Sequence, residues 1–579
     1  MFKTFLQENQ FIVPSYQHYG GLSGFQDYGI LGFQIKNKLL NLWRDFFLGT
    51  DIHEVELPSI VPYAVLKASG HVDRFTDYIV YDKNNQCHRA DHLAKKWFND
   101  HDMDDLANQV DSWDQQSLEL NINKYQMLDN DANVQKKNLM IEIPSNTLIP
   151  NADTDFLRPE LAQGVFVNFK IYQSYFQHED ADFKPFGIAQ IGKSYRKEIS
   201  PQSFTRLKEF TQAEIEYFCD PINKTHIEYD NYKQIIIPIL TNEMQEHGIE
   251  TFNMNIEEAV NKKIICHKLM AYFLAKIYLF AKKIGLKDGK IRFRQHRKNE
   301  MAHYASQCWD LECYVCDSWL ECIGCADRGC YDLTSHSGQN TKQPLNVKRK
   351  LSEPKITVNI KIKPNFAPHI ANDLRQMDKI NNQYVSQFKT YFKNLDQKTA
   401  KFIANKAKYE DNFIWVINGT EYIIKSSTLT ISEEKITTLY DYFIPHVIEP
   451  SFGIDRLFYA VLEQNIWQRE IDERRSVLSL PDELIIYDVA VFPLHKKEEM
   501  QKIADDIRKR LLSAGFKCYI DESGTAIGKK YVRCDEIGVK NIITVDPGTL
   551  KNNLVTIRNR DTMNQIYVHI DDLLQALKK

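Results

Sequence analysis

The stretch "SYRKEISPQSFTRLKEFTQAEIEYF", residues 194–218, constrains the fold more than any other. Apolar and polar residues alternate on both sides of a polar loop, the period of two that a β-strand requires. Residues 184–218 are therefore expected to form antiparallel strands. Charges of both signs crowd this hairpin: Arg196 and Glu198 before the loop, Arg206 and Phe210 after it, then Glu214 and Glu216. In an antiparallel hairpin Arg196 and Arg206 can face the same ligand. A solvated charged hairpin is the plain alternative, because exposed ion pairs contribute little. A nucleoside triphosphate would use all of these groups: fixed cations for its phosphates, a flat apolar plate for adenine and an acceptor for the exocyclic amine.

Other segments carry matching chemistry. In "EPSFGIDR", Glu449 and Ser451 lie at strand spacing and share a face. Gly453 permits close backbone approach, and Arg456 projects from the first turn of the helix that follows. A capped helix start accounts for the Gly and Asp there without any ligand. Glu160 in "RPELAQG", Glu214, Glu321 in "WLECIG" and Glu449 form an acidic set. Converging on a small site, they would bind an ammonium group or Mg²⁺; scattered, they are surface salt bridges.

A chain of 579 residues is too long for one core and implies two to four domains. Its 73 basic and 77 acidic side chains leave a net charge of -4, so a nucleic-acid partner would need local basic patches. The N-terminal "MFKTFLQENQFIVPSY" has neither an apolar signal core nor an Arg-rich presequence, and no apolar run is long enough to span a bilayer. A cytoplasmic protein without membrane contact is expected. The eleven cysteines are then expected as free thiols. Cys313-x2-Cys316 and Cys322-x2-Cys325 resemble paired zinc ligands, but five residues separate the pairs, shorter than the usual ribbon loop. The intervening "DSW" reads as a hairpin turn, and no structural zinc is predicted.

Along the chain, residues 31–48 place Leu31, Ile35, Leu39, Leu42, Trp43 and Phe46 on one helical face. "HEVELPSIV" follows as a strand that Pro58 confines to an edge or an interface. Insertions are expected at about 95–140, 222–300 and 338–440, with helices over 256–285. A linker near "LSLPDE" separates residues 1–480 from 481–579. There "LIIYDVAVFPL" reads as a buried strand. Met500, Ile503, Ile507 and Leu511 mark a helix that Gly515 stops. Alternating strands and helices indicate a small α/β domain.

Together these segments resemble glycyl-tRNA synthetases of the eukaryotic and archaeal dimeric type, which are class II aminoacyl-tRNA synthetases. "YGGLSGFQDYG", "LKASGHVDRFTDYIV", "FLRPELAQGVFVNF", "IGKSYRKEISP", "EFTQAEIEYF", "ECIGCADRGCYDL", "EPSFGIDR" and "IGKKYVRCDEIGV" match in order. The resemblance implies an α+β fold: an antiparallel catalytic sheet with insertions over residues 1–480, then a C-terminal α/β anticodon-binding domain over 481–579. The 31–48 helix and Pro58 strand look like motif 1, the implied homodimer interface; the hairpin looks like motif 2 and "EPSFGIDR" like motif 3.

Carried over, Arg196 would hold the α-phosphate and the glycine carboxylate, and Arg196 and Arg456 would be the catalytic cations. ATP would be bound by Arg196, Lys197, Glu198, Arg206, Leu207, Phe210, Glu321, Cys322 and Arg456. Glu198 would meet the adenine amine, Phe210 and Arg456 its faces, Arg206 the outer phosphates, and Glu321 the Mg²⁺ that ATP carries. Glycine would be held by Glu160, Glu214, Glu449, Pro450 and Ser451, with Arg89 matching a substrate contact of bacterial relatives. Lys529, Lys530 and Arg533 would touch tRNA(Gly). Leu161, Ile30 and Phe204 depart from the common pattern, and Phe204 lies in the loop expected near the tRNA acceptor end. Two other readings remain: a class II synthetase for Pro, Thr or His, and a non-catalytic nucleic-acid-binding relative.

Overall fold

The structure is a computed structural model and describes residues 2–577 apart from 145–153, 178–181, 203–204, 298–299, 302–304, 339–343, 365–389, 418 and 471. Phe204 thus lies outside the described residues. Nine strands build the principal sheet: β1 (Ile52–Val55), β2 (Phe186–Tyr195), β3 (Glu209–Cys219), β4 (Ile236–Leu240), β5 (Phe252–Asn255), β6 (Ile291–Gln295), β7 (Gln307–Val315), β8 (Ser318–Gly329) and β9 (His446–Gly453). Their order across the sheet is β5-β4-β6-β7-β8-β9-β3-β2-β1. The β1/β2 and β4/β6 pairs are parallel, and the others are antiparallel.

The expected hairpin is β2 and β3, which pair in register from Phe186↔Phe218 to Tyr195↔Glu209. Pro58 breaks the expected "HEVELPSIV" strand. Only β1 joins the main sheet, at its edge, while Ile60–Val61 pairs elsewhere with Asp155–Leu157. Between β7 and β8 the turn residues Cys316 and Asp317 both have positive φ, 47° and 60°, the backbone of a tight hairpin turn that matches strand twist.

Helices α1 (Ile30–Phe47), α2 (Lys268–Lys283) and α3 (Ile454–Asn465) share one core with this sheet. Each repeats apolar residues at helical spacing, so one stripe turns inward. Trp43 of α1 is fully buried between Phe47 and Phe452. Segment 222–300, expected as an insertion, supplies β4, β5, β6 and α2 to the sheet and core themselves. The insertion expected at 95–140 begins earlier in space: Thr76–Tyr81, Cys87–Arg89 and Gln135–Asn138 form a small sheet under helices with their own core, including Val80, Phe98 and Ile122.

The described residues among 180–183 and 346–443 form a separate compact unit. Its long hairpin pairs Val347–Pro364 with Leu429–Phe443, and a helix, Gln397–Tyr409, packs Ile403 with Phe413 and Ile424 of a second hairpin.

After α3 come a hairpin, β10 (Ile466–Arg469) and β11 (Asp472–Leu478), and then the C-terminal domain. That domain holds β12 (Val489–Pro493), α4 (Glu498–Ser513), β13 (Cys518–Tyr519), α5 (Ile527–Glu536), β14 (Asn541–Val545), β15 (Leu554–Asn559) and β16 (Gln565–His569). The sheet order is β13-β12-β14-β15-β16, parallel over the first three and antiparallel over the rest. The strand expected over "LIIYDVAVFPL" begins only at Val489; Leu484, Ile485 and Ile486 are instead buried in the core of the principal sheet. An apolar run alone does not distinguish a strand from a buried loop.

Gly32 stands where α1 crosses the chain near Phe11: a Cβ there would lie 1.8 Å from the Phe11 carbonyl oxygen. Gly32→Ala should therefore cost at least about 1–3 kcal/mol by overpacking. A thermal melt should show a lower midpoint, and an unchanged midpoint would contradict this close crossing.

Candidate active site

The β2/β3 register sets Phe210, Gln212, Glu214 and Glu216 on one face of β3, because alternate side chains share a side. The Arg196 backbone N–H donates to the Lys208 carbonyl at 2.9 Å, continuing the hairpin past the last strand pair. The Arg196 guanidinium lies between two rings, 5.2 Å from Phe210 and 5.3 Å from Phe75. Arg206 Nε donates to Glu198 at 2.6 Å. Arg456 donates through Nε to the Thr205 carbonyl (2.9 Å) and through Nη1 to the Glu321 carbonyl (2.8 Å), with the Glu321 carboxylate at 3.7 Å. All three arginines and Phe210 line a single cavity, together with Glu198, Leu207, Glu321 and Cys322.

Glu160, Glu214, Glu449 and Ser451 line the same cavity. Strand β9 pairs with β3 on one side and β8 on the other, so Ser451 stands beside Glu214 and Glu449 beside Ala326. Ser451 Oγ donates to Glu214 at 2.7 Å, the Gln212 amide to the same carboxylate at 2.8 Å, and the Leu161 N–H to its second oxygen at 2.9 Å. One fully buried guanidinium organises the acids. Arg328 bonds both Glu449 oxygens (2.8 and 2.9 Å), forks onto Asp332 (2.8 and 3.1 Å) and reaches Glu160 at 3.4 Å. His71 approaches Glu160 at 3.4 Å from the other side.

Carboxyl groups outnumber cations here, and the proton affinities follow. Burial opposes the charge on Glu160, but His71 and then Arg328 outweigh it and hold this carboxyl well below the usual range. Burial and then Glu160 push Glu214 upward. Burial also raises Glu449, against the pull of Arg328. Glu216 is pushed well above its ordinary value, through burial and then Glu449, and neither of its buried oxygens has a hydrogen-bond partner. Glu216 therefore keeps its proton without a hydrogen-bond partner, whereas the carboxyl groups of Glu160, Glu214 and Glu449 all accept hydrogen bonds.

Asp455 aligns the layers around the cavity. It accepts from the Thr211 N–H (2.6 Å), from buried Lys36 of α1 (2.8 Å) and from the Tyr28 hydroxyl. Phe210 and Arg456, the neighbours of Thr211 and Asp455 in the chain, are fixed by this one carboxylate.

Several expected residues stand outside the cavity. Lys197 alternates away from Arg196 and Glu198, and its ammonium faces Glu142 at 3.5 Å. Arg89 pairs with Asp91 (2.5 Å) and Asp77 (3.3 Å). Pro450, between Glu449 and Ser451, is buried in β9 beside Cys325. In the C-terminal domain Lys530 does not belong to a surface cluster. It is buried, donates to the Asp521 carbonyl at 2.6 Å and lies over Phe492, because its position in α5 faces the domain core. Lys529 is exposed, and Arg533 pairs with Asp521 at 2.8 Å. Of the four cysteines considered for zinc, Cys316 Sγ meets Tyr459 and Cys325 Sγ meets Met270, whereas Cys313 and Cys322 lie side by side in the core.

Arg328, Asp332, His71, Gln163, Gln212 and Asp455 were not singled out from the sequence as site residues. Arg328 left one signal: an arginine in the apolar strand "ECIGCADRG" must find carboxylates if it is buried.

The family model of the anticodon binding domain matches residues 488–579. A glycine–tRNA ligase of Methanocaldococcus jannaschii is 39% identical over 98% of this chain and 96% of its own length. Glycine–tRNA ligase 2 of Saccharomyces cerevisiae is 36% identical over 99% and 94%. The chain belongs to the glycine–tRNA ligase family. Among solved structures, a Giardia lamblia prolyl-tRNA synthetase in complex with prolyl-adenylate aligns with a TM-score of 0.52 at 12% identity, covering 100% of this chain and 74% of that one. A Cryptosporidium parvum prolyl-tRNA synthetase complexed with L-proline and AMP gives 0.51 at 11%, covering 100% and 77%. The fold is thus the class II synthetase fold that the family resemblance implied.

The protonated Glu216 has a measurable signature. The folded ligase holds a proton that the unfolded chain releases above the ordinary glutamate value of 4.5. The contribution of Glu216 to stability is therefore greatest below that value and declines as pH rises. Glu216→Gln, which keeps the shape of the protonated acid, should gain in melting temperature over the parent as pH is raised from about 5 to about 8. A difference that stays constant with pH would place the proton elsewhere.

Proposed function

We propose that this protein activates glycine with ATP, forming glycyl-adenylate and pyrophosphate, and then transfers glycine to the 3′ end of tRNA(Gly). The observation that carries this reading is the pairing of two opposite charge fields in one cavity. Three guanidiniums and Phe210 stand at one part, and the partly buried Glu160 with buried Glu214 and Glu449 at another. The first suits a nucleoside triphosphate and the second a small ammonium ion.

In this reading Arg196 grips the α-phosphate and the glycine carboxylate and neutralises charge as the carboxylate oxygen attacks phosphorus. The bond to pyrophosphate breaks as the acyl–phosphate bond forms. Arg206 and Arg456 hold the outer phosphates, Phe210 and Arg456 enclose adenine, and Glu198 accepts from its amine. Glu198 is already bound to Arg206 at 2.6 Å, so these roles are linked. A terminal ribose hydroxyl of the tRNA then attacks the acyl carbon, and AMP leaves. Positioning and charge stabilisation supply the acceleration, with no protein nucleophile. Glu321, a half-exposed carboxylate on the cavity wall beside Arg456, fits a hard divalent cation, and would hold the Mg²⁺ that neutralises the phosphates.

Glycine selectivity follows from space. Gln212, Glu214 and Ser451 are bonded to one another across β3 and β9, so a side chain on the substrate would have to part a buried network. Binding alone separates a missing methylene by only about 1–3 kcal/mol; overlap with a rigid wall separates an added one further. The same reading places tRNA against the C-terminal domain, where exposed Lys529 and the partly exposed Arg533 are available, and puts the ligase in the cytoplasm. It also makes the protein a homodimer through α1, at whose start Ile30 and Phe33 are exposed large apolar side chains. Among the described residues, no helix is long and apolar enough to cross a membrane.

Glycine-dependent ATP–pyrophosphate exchange tests the proposal directly. Exchange should respond to glycine and not to proline, threonine, histidine or alanine. Arg196→Ala should lower it by about 10²–10³. Preference for another amino acid, or undiminished exchange in that variant, would refute the assignment.

A further inference from the structure

Among the buried ionic clusters that the mechanism leaves unused, the one around Asp535 joins two domains. Asp535, at the end of α5, receives a bidentate bond from Arg558 of its own domain (2.8 and 3.0 Å) and a bond from Arg469 of β10 at 2.8 Å. Asp535, Arg469 and Arg558 are each at most 4% exposed. Arg469 also donates to the Arg560 carbonyl at 2.6 Å. A buried carboxylate shared by arginines of two domains is sensitive to geometry, because losing one partner leaves charge or polar groups unsatisfied.

The chain on either side of Arg469 gives this cluster a direction. Arg456 stands in the first turn of α3, and β10 follows that helix without a break. Twelve helical residues span about 18 Å. One continuous helix and strand therefore carry Arg456 at the adenylate cavity and Arg469 at the C-terminal domain. On the far side of Asp535 lies α5, which bears Lys529 and Arg533. The joint is reinforced where Ser479 donates to Asp561 at 2.6 Å, Lys540 pairs with Asp482 at 2.7 Å and Leu31 packs against the cluster of Cys534 and Ile537.

We propose that Arg469, through Asp535, is a positioning residue for the second step of the reaction. It fixes the tRNA-facing helix α5 at a set distance and angle from the cavity, so that a tRNA held at its anticodon end presents its 3′ end there. It touches no substrate and has no part in forming the adenylate. This inference rests on the glycine–tRNA ligase reading.

The test uses the full-length protein as parent, Arg469→Ala and Arg469→Glu. In the alanine variant Asp535 keeps Arg558, so the C-terminal domain retains its internal ion pair; the glutamate variant adds repulsion. Glycine-dependent pyrophosphate exchange should match the parent in both. The kcat/KM for charging full-length tRNA(Gly) should fall at least about fivefold in Arg469→Ala and further in Arg469→Glu, chiefly through KM for tRNA. A merely structural role would lower exchange and charging together. A smaller loss of charging, or exchange lost in parallel, overturns the inference. If the parent itself shows no glycine-dependent exchange, the functional reading fails instead.

Discussion

The active site depends on one guanidinium. Arg328 is buried among carboxyl groups from three regions of the chain: Glu160 between β1 and β2, Asp332 after β8 and Glu449 in β9. Ionised acids without such a partner would be neutralised rather than buried. Arg328 satisfies only part of the charge it collects, and the remainder defines the chemistry. In the proposed function that surplus carboxylate would attract the ammonium group of glycine. The register of the sheet delivers this arrangement, since β3, β9 and β8 must align Glu214 with Ser451 and Glu449 with Ala326. A slip of one residue would turn Glu214 and Glu449 to the opposite face.

A second constraint holds the phosphate end. Asp455 joins α1, β3 and α3 by accepting from Lys36, Thr211 and Tyr28. Lys36 is buried, and burial lowers its proton affinity more than the nearby Asp455 restores it. The pair is tolerable because the carboxylate has backbone and hydroxyl donors as well. The helix expected at a subunit interface is thus wired to Phe210 and Arg456 in the cavity.

Much of this was legible from residues. Period-two alternation gave the hairpin and hence the common face of Phe210, Glu214 and Glu216, and strand spacing put Glu449 beside Ser451. Arg328 and Asp455 were not legible, because their roles come from non-local pairing: no local pattern joins Arg328 to Glu449 across 121 positions. Lys530 misled for a related reason. A lysine in a polar helix reads as surface, yet its ammonium turns inward over Phe492 and donates to the Asp521 carbonyl. The run at Leu484–Ile486 reads equally well as strand or buried loop, and tertiary packing decided for the loop.

Under the proposed function, the two charge fields would also orient the smallest amino acid without a side chain to hold. Glycine offers only an ammonium, a carboxylate and two hydrogens. Acids that attract the ammonium repel the carboxylate, and guanidiniums do the reverse, so the reversed pose loses at both ends. Arg196 donates to the Pro159 carbonyl at 3.3 Å, and Pro159 is the residue before Glu160. The cationic and acidic fields therefore meet at adjacent residues, and a molecule only a few bonds long can engage both. In the proposed reaction the same polarity would ease the main electrostatic difficulty, an anionic nucleophile approaching an anionic triphosphate, because Arg196 would neutralise both partners in the geometry that the acids impose.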